Sequence, residues 1–174
     1  GNKKYQKGFS PIPTGFLKVP FNNLEAIENR ISEQVAAIIL EPIQGEGGII
    51  PANMEYLKKV RELCDTHGVL LIFDEIQCGI GRTGFWFAKD YYGVKPDIIT
   101  LAKGLGGGFP IGAILCNSKV SDAIEFGDHG TTFGGNPLAA AASLATLKVI
   151  ADEKLCDLVL SNGTWLKSEI EKLG

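Results

Sequence analysis

Short apolar runs alternate with amphipathic stretches along this chain of 174 residues. Residues 35–40 and 69–73 are unbroken apolar runs of strand length, the pattern of strands covered on both faces. Residues 98–102 and 111–116 form a third and a fourth strand. Between them the period changes to that of a helix. Asn22 or Asn23 caps a short helix, 24–32, with Leu24, Ile27 and Ile31 on one side. Asn53 caps a second, to about residue 67, whose Leu57, Val60, Leu63 and Cys64 make a core stripe before the stop at Gly68. Asn136 and Pro137 open a third, through the alanine run 139–142 to about residue 151, and an amphipathic stretch near 154–173 predicts a fourth. Residues 1–20 contain three prolines and no period, and read as extended loop.

The order of elements sets the topology. The first two strands with the helix between them form a right-handed βαβ unit. About eight glycine-rich residues link the third and fourth strands, too few for a parallel crossover, so these two should be antiparallel neighbours. The prediction is one α/β unit, a mostly parallel sheet with flanking helices.

Composition narrows the function classes. Apolar residues at 45% and charged residues at 21% exclude a disordered chain. The net charge of −3 argues against a nucleic-acid binder. Residues 1–20 hold four lysines and no acid, leaving −7 on the remainder, and this basic stretch reads as solvated surface. No apolar run approaches the length of a membrane span. The chain begins Gly-Asn-Lys-Lys-Tyr without Met or an apolar leader, so no signal peptide is expected and the start reads as processed, tagged or excised. Cys64, Cys78, Cys116 and Cys156 lack CxxC spacing and read as reduced, buried thiols. With only His67 and His129 available, no zinc site is expected.

Glycine changes the picture. Its 22 occurrences are nearly twice the usual share of about 7%. They cluster at 45–48, 79–84, 104–108 and 134–135, where backbone must turn sharply or approach something closely. Three predicted strands end in an ionisable residue followed by glycines: Glu41, Asp74 and Lys103. In open α/β sheets, ligands bind beyond the carboxyl ends of the strands. An amine closing a dry strand is partly desolvated, which favours its nucleophilic form, and such a lysine can form a Schiff base. Asp74 would then be the fixed carboxylate that a pyridine cofactor needs against its ring nitrogen. Plainer readings stand beside these: Lys103 as a solvated lysine, Asp74 as a capping or ion-paired acid. Residues 104–108 are not a GxGxxG turn before a helix, and no GxxxxGK(S/T) loop occurs.

Four segments resemble a known family. Glu-Pro-Ile-Gln-Gly-Glu-Gly-Gly (41–48), Val-Leu-Leu-Ile-Phe-Asp-Glu-Ile-Gln (69–77), Thr-Leu-Ala-Lys-Gly-Leu-Gly-Gly-Gly-Phe-Pro-Ile-Gly (100–112) and Gly-Thr-Thr-Phe-Gly-Gly-Asn-Pro-Leu (130–138) are similar to those of class III, fold-type I, pyridoxal-phosphate-dependent aminotransferases. They stand in the family's order and spacing, and the resemblance covers nearly the whole chain. Residues 8–16 and the stretch Gly-Gly-Gly-Phe-Pro-Ile-Gly-Ala look most like the branch whose amino donor is N-acetylornithine, cytoplasmic homodimers of arginine biosynthesis. The resemblance keeps ornithine, succinyl-diaminopimelate and 4-aminobutyrate open as donors, with 2-oxoglutarate as acceptor.

What the resemblance implies can be written residue by residue. Lys103 is the Schiff-base lysine and proton shuttle. Asp74 pairs with the pyridinium nitrogen, and Gln77 with the cofactor's phenolic oxygen. Thr132 reaches across a homodimer interface to the phosphate of the partner's cofactor. Glu46 gates a substrate-carboxylate arginine, and Glu41 supports that loop. Gln77 as a surface amide and Glu46 as a loop acid remain the plain alternatives. Arg82 should hold its own loop, and Cys78 should pack as a small apolar group. Family chains are more than twice this length. The resemblance therefore places residues 1–174 in the central part of the large, cofactor-binding domain. The phosphate loop and ring-stacking aromatic are expected before residue 1, and the small domain with the carboxylate-binding arginine after residue 174. The segment alone is expected to be inactive.

Overall fold

The computed structural model describes residues 3–173. Helices α1 (Lys3–Gln6) and α2 (Leu24–Glu28) precede strand β1 (Ala37–Leu40). A small hairpin, β2 (Ile43–Gln44) and β3 (Ile50–Pro51), leads into α3 (Met54–His67) and β4 (Leu70–Asp74). Helix α4 (Ala88–Tyr92), strand β5 (Ile98–Leu101) and a 3-10 turn (Lys103–Gly106) follow. Strand β6 (Ala113–Cys116) and helices α5 (Ser118–Ser121), α6 (Pro137–Asp152) and α7 (Leu155–Glu171) complete the order.

The main sheet runs β1-β4-β5-β6. Its first three strands are parallel, and β6 returns antiparallel to β5, as the short glycine-rich link requires. The register aligns Leu40 with Phe73 and Phe73 with Ile99, so Ile38, Leu40, Leu71, Phe73, Ile99 and Leu101 share one face. Helix α3 covers that face. Asn53 Oδ1 accepts from the Glu55 and Tyr56 amides at its start. At its end Gly68 takes φ 68°, a left-handed stop that a side chain would strain. Leu57, Val60 and Cys64 are fully buried against Leu71 and Phe73. Each large apolar side chain buried there contributes about 1.5–3 kcal/mol. A second cluster, Ile99, Leu101 and Leu105, is covered on the same face by Ile80, Phe87 and Leu147.

Several expectations need correction. Among the described residues the strand at 35–40 is covered on one face only: it is an outer strand, and Ile39 is 59% exposed on the face opposite α3. Ile114 of β6, the other outer strand, is 69% exposed. The helix expected over 24–32 ends at Glu28, although Ile31 still packs into the core. Residues 3–6 of the expected loop form a helical turn; residues 1 and 2 lie outside the described residues. Of the cysteines read as buried, Cys64 and Cys78 are so, whereas Cys116 is exposed. Among the described residues no helix is long and apolar enough to cross a membrane.

Asp97 locks the amino ends of the central strands. Its Oδ2 accepts from the Leu71 amide and from Arg61 Nη1, both at 2.8 Å, and its Oδ1 accepts from Asn117 Nδ2 at 2.7 Å. One carboxylate thus ties α3, β4 and the residue after β6. Burial works to raise this carboxyl, but the Leu71 amide, the Arg61 guanidinium and the Asn117 amide outweigh it and hold it below the usual range. A carboxyl depressed in the folded state adds stability above its unfolded pKa and loses it as pH falls through the folded one. Asp97→Asn is therefore expected to cost about 2–3 kcal/mol at neutral pH. The gap to wild type should narrow as pH falls below about 4, where the unfolded carboxyl titrates, and close only at a pH under the lower folded pKa. Urea denaturation of both proteins at the two pH values checks this.

Candidate active site

The carboxyl end of β4 is built from its polar terminus outward. After the apolar residues 70–73, Asp74 Oδ1 accepts from the Ile76 amide at 3.0 Å, an Asx turn that diverts the chain out of the sheet. Oδ2 has no hydrogen-bond partner among the described residues. Asp74 is half-buried. Three residues on, Gln77 folds over the backbone of Gly45: a Cβ added at Gly45 would stand 2.4 Å from Gln77 Cδ. Glycine at 45 is thus what lets the two loops touch. Cys78 is buried, with Sγ 3.9 Å from the Asp74 carbonyl. Burial first, and the neighbouring Glu75 charge second, push its thiol up to about 12. It packs as an inert apolar group.

Beside Asp74 lies the end of β5. Thr100 is the register partner of Asp74 and so shares its face; its hydroxyl is buried without a hydrogen-bond partner among the described residues. Lys103 follows in a left-handed conformation, φ 43°, at the start of the 3-10 turn. It is exposed and forms no ion pair among the described residues. The expected partial desolvation of this amine is therefore not met by residues 3–173 themselves. Ile80 also has positive φ, 54°, and a Cβ added at Gly104 would stand 3.5 Å from its Cβ. A β-branched residue rarely tolerates that conformation. Two strained residues therefore adjoin the end of β5.

The loop after β1 completes this rim. Glu41 Oε2 accepts from the Gly45 amide at 2.9 Å, which closes the loop's entry. Glu46 is exposed at its tip, and Ile49 takes φ 56° before the hairpin returns at β3. The glycine cluster at 45–48, where the sequence predicts a sharp turn, is the bend of that hairpin. The structure thus brings the Glu41 loop against Gln77, and sets Asp74 and Lys103 on adjacent strand ends. Thr132 is not joined to them: it is exposed, between α5 and α6. Arg82 does not hold its loop through its side chain. That turn is closed by backbone bonds, from Gly81 to the Trp86 carbonyl and from Gly84 to the Gly81 carbonyl, while the guanidinium is exposed.

Sequence reasoning overlooked Glu75. It is 1% exposed, and its carboxylate accepts from the Ala88 and Lys89 amides at 2.6 and 2.8 Å. Burial raises this carboxyl, against the pull of those two amides. The available signal was a second acid directly behind Asp74 at the end of an apolar strand.

The comparisons bear on what this rim does. A family model described as "Aminotransferase class-III" matches residues 1–174. An acetylornithine aminotransferase of Methanocaldococcus jannaschii is 54% identical over 98% of this chain and 43% of its own length. A solved ornithine aminotransferase of Toxoplasma gondii, described with partial occupancy of PLP at its active site, superposes with a TM-score of 0.93. Its identity is 40%, over 98% of this chain and 41% of that one. An acetylornithine aminotransferase structure from Elizabethkingia anophelis gives a TM-score of 0.87 at 45% identity, over 95% of this chain and 42% of that one. The chain spans less than half the length of these relatives.

The contact between the two loops is open to test. Gly45→Ala is expected to keep stability within about 1 kcal/mol, because only the far end of a flexible side chain must give way. It should nevertheless swing the Gln77 amide off the loop. Chemical denaturation and the Gln77 side-chain amide resonances measure the two effects.

Proposed function

Because the chain belongs to the class III aminotransferases, we propose that it supplies the central part of the large domain of an enzyme moving an amino group from N-acetylornithine to 2-oxoglutarate. The observation that carries the reading is the pair Asp74 and Lys103, on adjacent strand ends, one with a carboxylate oxygen unused and the other with an unpaired amine. The family uses pyridoxal phosphate, and the residues present fit it. The Thr100 hydroxyl and the second Asp74 oxygen, on one face at adjacent strand ends, are polar groups for which the described residues supply no partner. When bound, that group supplies an aldehyde for amines and a cationic ring that draws electrons from the carbon bearing them.

The chain's own residues then have distinct tasks. Lys103 Nζ would hold the cofactor, and its amine would move the proton at the donor's reacting carbon. The Asp74 carboxylate keeps a proton on the ring nitrogen, since an adjacent fixed anion favours the charged form. Gln77 donates to the ring's phenolic oxygen. Thr132 donates to the phosphate of the partner's cofactor in a homodimer. Glu46 holds a substrate-binding arginine aside in one half of a ping-pong cycle, and Glu41 stiffens its loop. The identity to acetylornithine aminotransferases supports the donor, and arginine biosynthesis in the cytoplasm follows as its setting. The likeness to an ornithine aminotransferase at TM-score 0.93 favours ornithine as the second reading.

Borohydride reduction in the presence of pyridoxal phosphate, followed by peptide mass mapping, is expected to place the adduct on Lys103 and to find none in Lys103→Ala. Competing-donor assays on the intact enzyme should rank N-acetylornithine above ornithine. Residues 1–174 alone should show no amino transfer; transfer by that segment would overturn the assignment of essential groups beyond it.

A further inference from the structure

Glu75 has every polar group committed. Its amide donates to the Thr100 carbonyl at 3.1 Å, and its carbonyl accepts from the Gly79 amide at 2.8 Å. Its carboxylate takes the first two amides of α4. The N-cap position of that helix, Phe87, has no capping side chain, so Glu75 performs the capping from 13 residues away. A local Ser or Asp at 87 would cap the same helix without burying a charge. A carboxylate removed from water is costly unless its bonds are required. The neighbours are shaped to this arrangement as well: a Cβ at Gly79 would stand 2.8 Å from the Glu75 carbonyl oxygen and 3.2 Å from Oε2.

Glu75 lies between Asp74 and Gln77, and its amide ties them to the strand that ends at Lys103. We propose that Glu75 is a positioning residue of the cofactor site. Its three anchors, on β5, on the turn at Gly79 and on α4, set the Asp74 carboxylate and the Gln77 amide relative to Lys103. Asp74 Oδ1, bonded to the Ile76 amide inside the same turn, moves with it. The proposal rests on the cofactor reading above but assigns Glu75 no contact with the cofactor.

The test uses the holoenzyme, with Glu75→Gln, Glu75→Asp and a control, Asn53→Ala, which removes the cap of α3 and leaves the Glu75 anchors intact. Gln keeps the size but loses one acceptor; Asp keeps the charge but falls short of the α4 amides. Both are expected to weaken pyridoxal phosphate binding at least tenfold and to speed exchange of the Ile76 and Gly79 amides at least tenfold. Asn53→Ala should lower the melting temperature and leave both readouts within twofold. Cofactor affinity within twofold of wild type in either Glu75 variant would overturn the proposal, as would an equal loss in Asn53→Ala. If wild type itself yields no Lys103 adduct, the cofactor reading fails and this proposal falls with it. An adduct in wild type with unchanged Glu75 variants sinks the proposal alone.

Discussion

The pairing of β4 with β5 is the constraint on which this molecule depends, and an acid closes it at each end. At the amino end Asp97 donates its amide to the Leu71 carbonyl and accepts the Leu71 amide on its side chain. At the carboxyl end Glu75 gives its amide to Thr100. Between them lie three register pairs, Ile72 with Ile98, Phe73 with Ile99 and Asp74 with Thr100. A slip of one residue would turn Phe73 out of the core and Asp74 off its face. The two acids therefore fix more than stability: they fix which residues stand at the strand ends, and so where chemistry is possible.

Division of labour follows from this. One sheet face carries the core under α3, where burial supplies the driving force. The strand ends carry the polar residues, each held by short-range bonds. Asp74 is turned by the Ile76 amide, Glu41 is bonded to Gly45, and Gln77 is seated over a glycine. The proposed reading requires the Lys103 amine, the Asp74 carboxylate and the Gln77 amide in fixed relation. Bonds of this kind hold such relations more tightly than apolar contacts, because their donors and acceptors are directional.

Much of this was legible in the residues. The apolar runs marked β1, β4 and β5, the length of the 103–110 link marked the reversal at β6, and Asn53, Gly68, Asn136 and Pro137 marked helix ends. Asp74 and Lys103 stood out because each ends an apolar run and precedes glycines. What stayed hidden depends on neighbours distant in sequence. The exposure of Ile39 follows from the lack of any described element packed on the face opposite α3, which no local pattern encodes. Helix α4 has five residues and lacks a side-chain cap of its own, so it carries no local signature. The hairpin at 43–51 is two residues wide and hides inside a glycine-rich stretch. The task of Glu75 depends on partners 13 and 14 residues away, which its position behind Asp74 does not name.

The left-handed backbone at Lys103 has an evolutionary consequence. That conformation suits glycine best, and four glycines stand among the next five residues. Selection for folding alone would draw position 103 toward glycine as well. Under the proposed role of Lys103, a lysine there is a case where chemistry runs against thermodynamic ease, and chains released from that role are expected to drift to glycine first.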